Sequence, residues 1–309
     1  MIIFAPPFSE ATERLQTMKI VKIIGGLGNQ MFQFALYKSL QARFAEERVL
    51  VDLHCFNGYK KHHGFEIGRV FGCSYEEATL GEVARVAYPY PNFQTWRYGS
   101  RLLPNRKSMV KEKPDFTFEP TALTRPTDTY YDGYWQHEEY FSDIRQDILQ
   151  TFRFPNFTDK ANKEAAAEVQ SSNSVAIHIR RGDYTHDKLF HDICTLPYYE
   201  RAIRHIESAV DCELFCIFSD DMDWCREHIA PLLGGKRIIY ADWNTGEQSF
   251  QDIHLMSLCR HNIIANSSFS WWGAWLNENP SKIVVAPSQW MNRQGVSSPV
   301  PEHWTVIPV

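Results

Sequence analysis

The sharpest chemical signal in the sequence is a pair of adjacent arginines in His178-Ile179-Arg180-Arg181-Gly182-Asp183, at the end of an aliphatic run. Side chains alternate along a strand, so His178 and Arg180 point to the same face. A guanidinium at the end of a strand can hold two phosphate oxygens at once, and Asp183 can orient it. A surface Arg–Asp pair is the alternative, and we favour the phosphate site.

A glycine-rich turn, Gly25-Gly26-Leu27-Gly28-Asn29-Gln30, precedes the first predicted helix. Glycines let a backbone pass close to a ligand, and a helix N-terminus favours an anion. A dinucleotide fingerprint is excluded because Met31 replaces its third glycine, and no Gly-Lys-Ser/Thr of a P-loop follows. The glycines alone fit a plain tight turn better. Asn29 and Gln30 shift that balance, because their amides can cap the helix or bind sugar hydroxyls.

Further polar residues lie next to apolar runs in the second half of the chain. Ser219 and Asp220 can reach a nucleotide base or ribose. Asp252 precedes an apolar helix face, and Asn266-Ser267-Ser268-Phe269-Ser270 supplies hydroxyls and amides at the start of another helix. These groups suit a diphosphate at a helix N-terminus, and ordinary N-capping explains them equally well.

Asp221-Met222-Asp223 has the Asp-x-Asp spacing of the metal site of many sugar transferases. Acidic residues also favour the first turn of a helix, where they interact with the helix dipole. We interpret these two residues as a helix start. The sequence therefore predicts no metal site.

Alternating strands and helices position these clusters. A strand at 19–24, a helix at 30–44 and a strand at 49–53 form a βαβ unit, whereas residues 57–128 show no clear pattern. A strand is then predicted at 130–135 and a helix at 140–151. The second half has predicted strands at 174–179, 213–218, 237–240, 262–265 and 283–286, and helices at 198–208, 222–229, 250–260 and 271–277. Such alternation predicts parallel, doubly wound sheets whose ligands bind at the carboxyl ends of the strands, so the clusters should converge on one crevice.

Length and composition limit the classes of protein. A chain of 309 residues favours two domains, with a boundary at 155/156, and residues 1–17 are predicted to be an extension outside the fold. The net charge of −5 argues against a nucleic-acid partner. Seven cysteines without Cys-x-x-Cys spacing favour reduced thiols and a cytoplasmic protein. No apolar run reaches the length of about 18 residues that a transmembrane helix needs.

Three segments in this order carry a family resemblance: Gly25-Gly26-Leu27-Gly28-Asn29-Gln30-Met31-Phe32-Gln33, His178-Ile179-Arg180-Arg181-Gly182-Asp183-Tyr184 and Asn266-Ser267-Ser268-Phe269-Ser270-Trp271-Trp272-Gly273-Ala274-Trp275-Leu276. From about Met18 to the C-terminus, the chain resembles the bacterial α-1,2-fucosyltransferases of glycosyltransferase family 11. The resemblance implies a GT-B fold of two Rossmann-like domains with parallel sheets facing a central cleft. Residues 18–155 would form the acceptor-side domain, and 156–309 the domain that binds the GDP-sugar.

The resemblance further implies inverting transfer of L-fucose from GDP-β-L-fucose to a galactose hydroxyl of a glycan, without a metal or other cofactor. It implies that Arg180 binds the diphosphate, supported by Arg181 and Asp183. The predicted donor-binding residues are Gly28, Asn29, Gln30, Arg180, Arg181, Ser219, Asp220, Asp252, Asn266, Ser267, Ser268 and Phe269. The predicted catalytic residues are Arg180, His178 and Asp183; the last two are candidate bases by position only, and a mechanism without a base is the alternative.

Two other functions remain open from the sequence. One is another nucleotide-sugar transferase of the same fold, and the other is a catalytically silent protein that binds a glycan or nucleotide. A cytoplasmic enzyme with peripheral contact to the inner membrane, through a lipid-linked acceptor, is a further expectation.

Overall fold

The computed structural model describes residues 17–113 and 115–309, apart from the side chain of Asp183. Nearly all of the predicted extension at 1–17 therefore lies outside the described residues. The described chain forms two parallel sheets, one in each half. Both are covered by helices, and no described helix is long and apolar enough to span a bilayer.

The N-terminal sheet has four parallel strands in the order β2-β1-β4-β3. They are β1 (Met18–Lys22), β2 (Arg48–Asp52), β3 (Met109–Lys111) and β4 (Thr129–Asp132). The helices of this half are α1 (Leu27–Arg43), α2 (Ile67–Phe71), α3 (Leu80–Val86), α4 (Phe93–Leu102) and α5 (Arg145–Thr151). Every residue of β1 and β4 is buried, as expected for parallel strands covered on both faces.

Residues 57–128 showed no clear sequence pattern, but the structure contains regular elements there: α2, α3, α4 and β3. Its helices are short, and local caps define their starts: Thr79 and Asn92 each form a capping box with the residue three positions later. The predicted helix at 140–151 is also too long. Its first part consists of two 3-10 turns, at Glu138–Tyr140 and Ser142–Ile144, and the α-helix begins only at Arg145.

The C-terminal sheet has six parallel strands in the order β10-β9-β8-β5-β6-β7. They are β5 (Ser174–Ile179), β6 (Leu214–Ser219), β7 (Arg237–Ala241), β8 (His261–Ile263), β9 (Val284–Pro287) and β10 (Thr305–Ile307). The strand order reverses between β5 and β8. Ligands of doubly wound sheets bind outside the carboxyl ends of the strands at such a switch point.

Five α-helices connect and cover these strands: α6 (Lys160–Ser171), α7 (Leu196–Ala209), α8 (Met222–Trp224), α9 (Phe250–Leu258) and α10 (Ser268–Trp275). The predicted helix at 222–229 is a single α-turn followed by a π-helix at Cys225–Ile229. Neither α6 nor β10 was predicted. The predicted boundary at 155/156 falls in a segment without helix or strand, between α5 and α6.

The two halves share one apolar core, in which α1 packs against α10. The Phe32 ring lies 4.5 Å from the ring of Trp271 and 4.9 Å from that of Trp272, centre to centre. Both tryptophans and Trp275 are buried. The predicted α/β class, with two Rossmann-like parallel sheets of the GT-B type, is confirmed.

Candidate functional site

Arg180 directly follows β5, at the switch point of the C-terminal sheet. Its Nη1 lies 2.9 Å from Oδ2 of Asp220, and its guanidinium lies 5.5 Å from the centre of the Tyr184 ring. The other oxygen of Asp220 accepts hydrogen bonds from the backbone N–H groups of Arg181 at 2.9 Å and Gly182 at 3.1 Å. One carboxylate therefore fixes both the guanidinium and the turn that carries it.

Arg181 is held by the next acidic residue of the β6 loop. Its Nε donates to Oδ2 of Asp221 at 3.0 Å, and its guanidinium stacks 4.3 Å from the Trp224 ring centre. Oδ1 of Asp221 accepts from the backbone N–H of Trp224 at 3.2 Å, so this residue caps α8. The interpretation of Asp221 as a helix start is confirmed.

Ser219 and Asp220 were expected to reach the nucleotide. The Ser219 hydroxyl accepts from the backbone N–H of Asp221 at 3.0 Å, and the Asp220 carboxylate holds the β5 turn. Both side chains therefore have structural bonds that shape the site. Their contact with the nucleotide stays a prediction.

His178 lies beneath this site and is only 6% exposed. Its ring packs 5.8 Å from that of Phe269, and its Nδ1 has no hydrogen-bond partner within the described part of the chain. Burial, reinforced by the positive charge of Arg180 and opposed by Asp220, lowers the pKa of His178 to about 3. A neutral, weakly basic imidazole at this depth is a poor proton acceptor at neutral pH, which argues against His178 as the base. The Asp183 side chain lies outside the described residues, so its role stays a prediction.

Asn29 connects the two halves at the cleft. Its Oδ1 accepts one hydrogen bond from Oγ of Ser268 at 2.8 Å and another from Nε2 of Gln136 at 2.7 Å. Close by, the Tyr184 hydroxyl donates to the backbone carbonyl of Asn266 at 3.3 Å. Segments that follow β1, β4, β5 and β8 therefore meet here, so the predicted clusters after β1, β5 and β8 do converge.

Gly28 is required by the close approach of two helix starts. A β-carbon on this residue would lie 2.6 Å from the carbonyl carbon of Ser268 and 2.7 Å from the backbone nitrogen of Phe269. The Gly28 carbonyl also accepts a 3.0 Å hydrogen bond from Nε1 of Trp272. A glycine at position 28 is therefore needed for the close packing of α1 against α10. The interpretation as a plain tight turn would not require this packing.

Gln30 was predicted to contact the donor, and the structure places it elsewhere. Its fully buried amide donates from Nε2 to the carbonyls of Gly25 and Gly64, each at 2.8 Å, and accepts from the N–H of Glu66 at 2.8 Å. A buried amide with these three bonds is satisfied by the protein itself. Gln30 ties the glycine turn to the loop after β2 and does not face the cleft.

The start of α10 follows the N-capping alternative. Oγ of Ser267 accepts from the backbone N–H of Phe269 at 3.3 Å, and Nδ2 of Asn266 donates to the carbonyl of Trp290 at 3.2 Å. Both side chains are buried. They shape the helix N-terminus, and only Ser268 and Phe269 of the predicted cluster are partly exposed.

Asp252 lies in the first turn of α9, in a polar network that sequence reasoning missed. Its Oδ1 accepts from Nδ2 of Asn244 at 2.8 Å, and that amide also donates to Oδ1 of Asn162 at 2.9 Å. Burial raises the pKa of Asp252 to about 7, and the bond from Asn244 opposes this rise. A carboxyl group that titrates near neutrality can serve either as an acid or as a base.

The N-terminal half contributes a second polar edge that was also missed. The ammonium group of Lys22 bonds to Oδ1 of Asp132 and lies 4.2 Å from the Trp96 ring centre. The Tyr130 hydroxyl donates to Oδ2 of Asp52 at 2.6 Å. Lys22, Asp52 and Asp132 each end an observed strand. The strands predicted at 19–24, 49–53 and 130–135 run past all three residues, so the strand-end argument did not single them out.

Comparison with known proteins decides the family. Residues 109–307 match the family model described as glycosyl transferase family 11. An α-1,2-colitosyltransferase of Escherichia coli is 30% identical to this chain, covering 93% of this chain and 98% of its own length. The chain belongs to glycosyl transferase family 11.

Two further known proteins are similar to this chain. The galactoside α-(1,2)-fucosyltransferase 2 of Mus musculus is 28% identical and covers 86% of this chain and 70% of its own. The α-1,6-fucosyltransferase NodZ of Bradyrhizobium, in a crystal structure soaked with GDP-fucose, has 15% sequence identity to this chain and a TM-score of 0.48. The match covers 84% of this chain and 92% of the NodZ chain. By its family model and its curated relatives, this family 11 protein is a fucosyltransferase-like glycosyltransferase.

Proposed function

We propose that this family 11 glycosyltransferase is an inverting galactoside α-1,2-fucosyltransferase. It transfers L-fucose from GDP-β-L-fucose to a hydroxyl of a galactose-terminated glycan. The observation that supports it most is the placement of Arg180 at the β5–β8 switch point, fixed by Asp220 beside the junction with the N-terminal half. The cytoplasm is the proposed compartment.

Arg180 acts on the leaving group in this proposal. As the bond between C1 of fucose and the diphosphate oxygen breaks, negative charge grows on GDP, and a preoriented guanidinium stabilises that charge. Arg181, held by Asp221, supplies a second positive charge nearby. The acceptor oxygen attacks C1 from the opposite face, which inverts its configuration. The acceptor proton passes to Asp183 or, without a side-chain base, to the departing diphosphate or water.

Colitosyl transfer is a second candidate, because the 30% identical relative from Escherichia coli is named a colitosyltransferase. Colitose is L-fucose without its 3-hydroxyl. A site that hydrogen-bonds this hydroxyl rejects the deoxy sugar strongly, since buried polar groups would be left unpaired, whereas a site without such groups discriminates little. The ratio of the two rates therefore reports on the donor pocket.

A donor assay tests this assignment. With lactose as acceptor, we expect GDP-fucose to give a kcat/KM at least about tenfold above that of GDP-colitose, and larger ratios over GDP-mannose and UDP-galactose. The linkage of the product is checked by NMR spectroscopy. Faster transfer from another donor would overturn the fucose assignment and leave the fold and family untouched. Binding of GDP in a calorimeter without turnover of any donor would favour a silent binding protein.

Transfer is expected to continue at an undiminished rate in excess EDTA. Cationic side chains are assigned the diphosphate, and both oxygens of Asp221 already bond to Trp224 and Arg181. The rate is measured with EDTA, and again after addition of Mn²⁺, with a metal-dependent transferase as the control for chelation. Activity abolished by EDTA and restored by Mn²⁺ would instead make Asp221 and Asp223 metal ligands.

A further inference from the structure

The segment 83–111 is strongly basic. It contains six basic residues and no Asp or Glu, although the whole chain has a net charge of −5. The basic residues are Arg85, Arg97, Arg101, Arg106, Lys107 and Lys111. Helix α4 lies in the middle of this segment and carries two of these residues, Arg97 and Arg101.

Helix α4 turns one side to the protein and the other to solvent. On the inner side, Trp96 covers the ammonium group of Lys22, and Gly99 lies against the ring of Tyr90. On the outer side, Tyr98 is 60% exposed and Leu102 is 82% exposed. Tyr98 and Leu102 lie one helical turn apart and form an exposed patch, and an apolar patch rimmed by charged side chains marks an interaction site.

The cations of this outer side are available to a partner. Arg97 and Arg101 are exposed and lie one turn apart, and no carboxylate among the described residues forms an ion pair with either. Neighbouring arginines differ: Arg106 donates to the carbonyls of α3, and Arg85 pairs with Asp128. The free charge therefore coincides with the exposed apolar residues.

The loop after β2 extends this surface. The backbone N–H of Phe93, at the start of α4, donates to the carbonyl of Asn57 at 2.9 Å, and the Phe93 ring packs 4.9 Å from that of Tyr59. Lys60 and Lys61 follow in this loop, and both are exposed. We define the α4 surface by Lys60, Lys61, Arg97, Tyr98, Arg101 and Leu102.

We propose that the α4 surface docks on an anionic lipid bilayer. Basic side chains attract acidic headgroups, while leucine and tyrosine between them enter the boundary between headgroups and acyl chains. A nucleic acid would use the same cations but gain little from an exposed leucine. The alternation of charge with apolar side chains therefore favours the bilayer.

The α4 surface adjoins the mouth of the cleft. The loop that carries Lys60 and Lys61 continues to Gly64, whose carbonyl accepts from Nε2 of Gln30 in the first turn of α1. Gly26 of the glycine turn lies against the His62 ring, where a β-carbon would come within 3.0 Å of Nδ1. Docking would hold the cleft beside the bilayer, where a lipid-linked acceptor lies. That consequence rests on the proposed function, whereas docking itself does not.

The test measures co-sedimentation of the full chain with vesicles in the absence of substrate. We expect binding to phosphatidylcholine vesicles that contain phosphatidylglycerol, little binding to phosphatidylcholine alone, and release by high salt. Arg97→Glu with Arg101→Glu should lower the partition coefficient at least about tenfold, since each basic residue at such a surface contributes about fivefold. Leu102→Ser should lower it about threefold to tenfold.

The matched control is Arg201→Glu with Arg204→Glu on α7, which makes the same change in net charge on an exposed helix of the other half. It should bind vesicles nearly as well as the wild type. An equal loss of vesicle binding in both double variants, or binding that does not depend on the charge of the lipid, would overturn the proposal. Binding to heparin that Leu102→Ser leaves unchanged, with no vesicle binding, would assign the surface to a soluble polyanion. A dimer that Arg97→Glu with Arg101→Glu dissociates would assign it to a second copy. Failure of the donor assay would leave all these results unaffected.

Discussion

Replacing Arg180 by alanine is expected to lower the transfer rate by on the order of 10²–10³, the usual cost of removing one preorganised donor to a developing negative charge. The fold should survive, because the Asp220 carboxylate keeps its bonds to the backbone N–H groups of Arg181 and Gly182. The measurement is a steady-state assay with GDP-fucose and lactose, with circular dichroism and thermal melting to show that the variant is folded.

Two companion variants separate geometry from charge. Arg180→Lys keeps the charge but loses the fork that holds two oxygens, and we expect its rate to fall at least roughly tenfold. Arg237→Ala is the control. This arginine belongs to the same sheet but is the first residue of β7, so it lies at the amino ends of the strands, where its Nη1 pairs with Glu168 at 2.9 Å. It should change the rate little.

The kinetic constant that changes identifies the state that Arg180 stabilises. A fall mainly in kcat means that the contact strengthens as charge develops on the diphosphate, whereas a rise mainly in KM indicates donor binding in the ground state. A folded Arg180→Ala variant that turns over at the wild-type rate would contradict the assignment. Arg181 would then be the first residue to test.

Arg180 could be placed from sequence because local pattern and position agree there. The strand predicted at 174–179 is observed as Ser174–Ile179, since an aliphatic run buried on both faces ends abruptly at a charged cluster. The alternation of strands and helices along the chain then predicts a parallel sheet, and the carboxyl end of this strand lies at the edge of the sheet where ligands bind. No contact distant in sequence is needed for either step.

Gln30 shows where this reasoning fails. Its amide could face a ligand or a neighbouring loop, and the choice depends on Gly64 and Glu66, which no local pattern connects to it. The pair of Lys22 and Asp132 was missed for a related reason, since 110 residues separate its members. Polar contacts of this kind are decided by tertiary packing.

The short helices α2 to α4 were missed because periodicity needs several turns to be recognised. Helix α2 has five residues and α3 has seven, fewer than two full turns each. Segments of this length are marginal alone and are stabilised by caps and by the sheet that they cover. The capping box at Thr79 was the readable signal for α3.

Replacing Gly28 by alanine is expected to destabilise the protein by about 1–3 kcal/mol, against the trend for glycines in helices. Alanine within a helix is normally favoured over glycine by roughly 0.5–1 kcal/mol. Here the added carbon would lie 2.6 Å from the carbonyl carbon of Ser268, and backbone atoms of α10 cannot turn away as a side chain can. The clash should therefore exceed the gain in helix propensity.

Gly81 provides the matched control for Gly28, because each glycine is the second residue of its helix. A β-carbon at position 81 would meet only the Thr79 hydroxyl, at 3.9 Å, so Gly81→Ala should leave stability unchanged or raise it by up to about 1 kcal/mol. Urea denaturation of both variants measures the two free energies of unfolding. Gly28→Ala should also lower the transfer rate, since the separation of α1 from α10 strains the bond between Asn29 and Ser268 that joins the two halves. If Gly28→Ala is as stable and active as the wild type, then α1 and α10 can separate freely, and the two halves are joined less rigidly than their shared core implies.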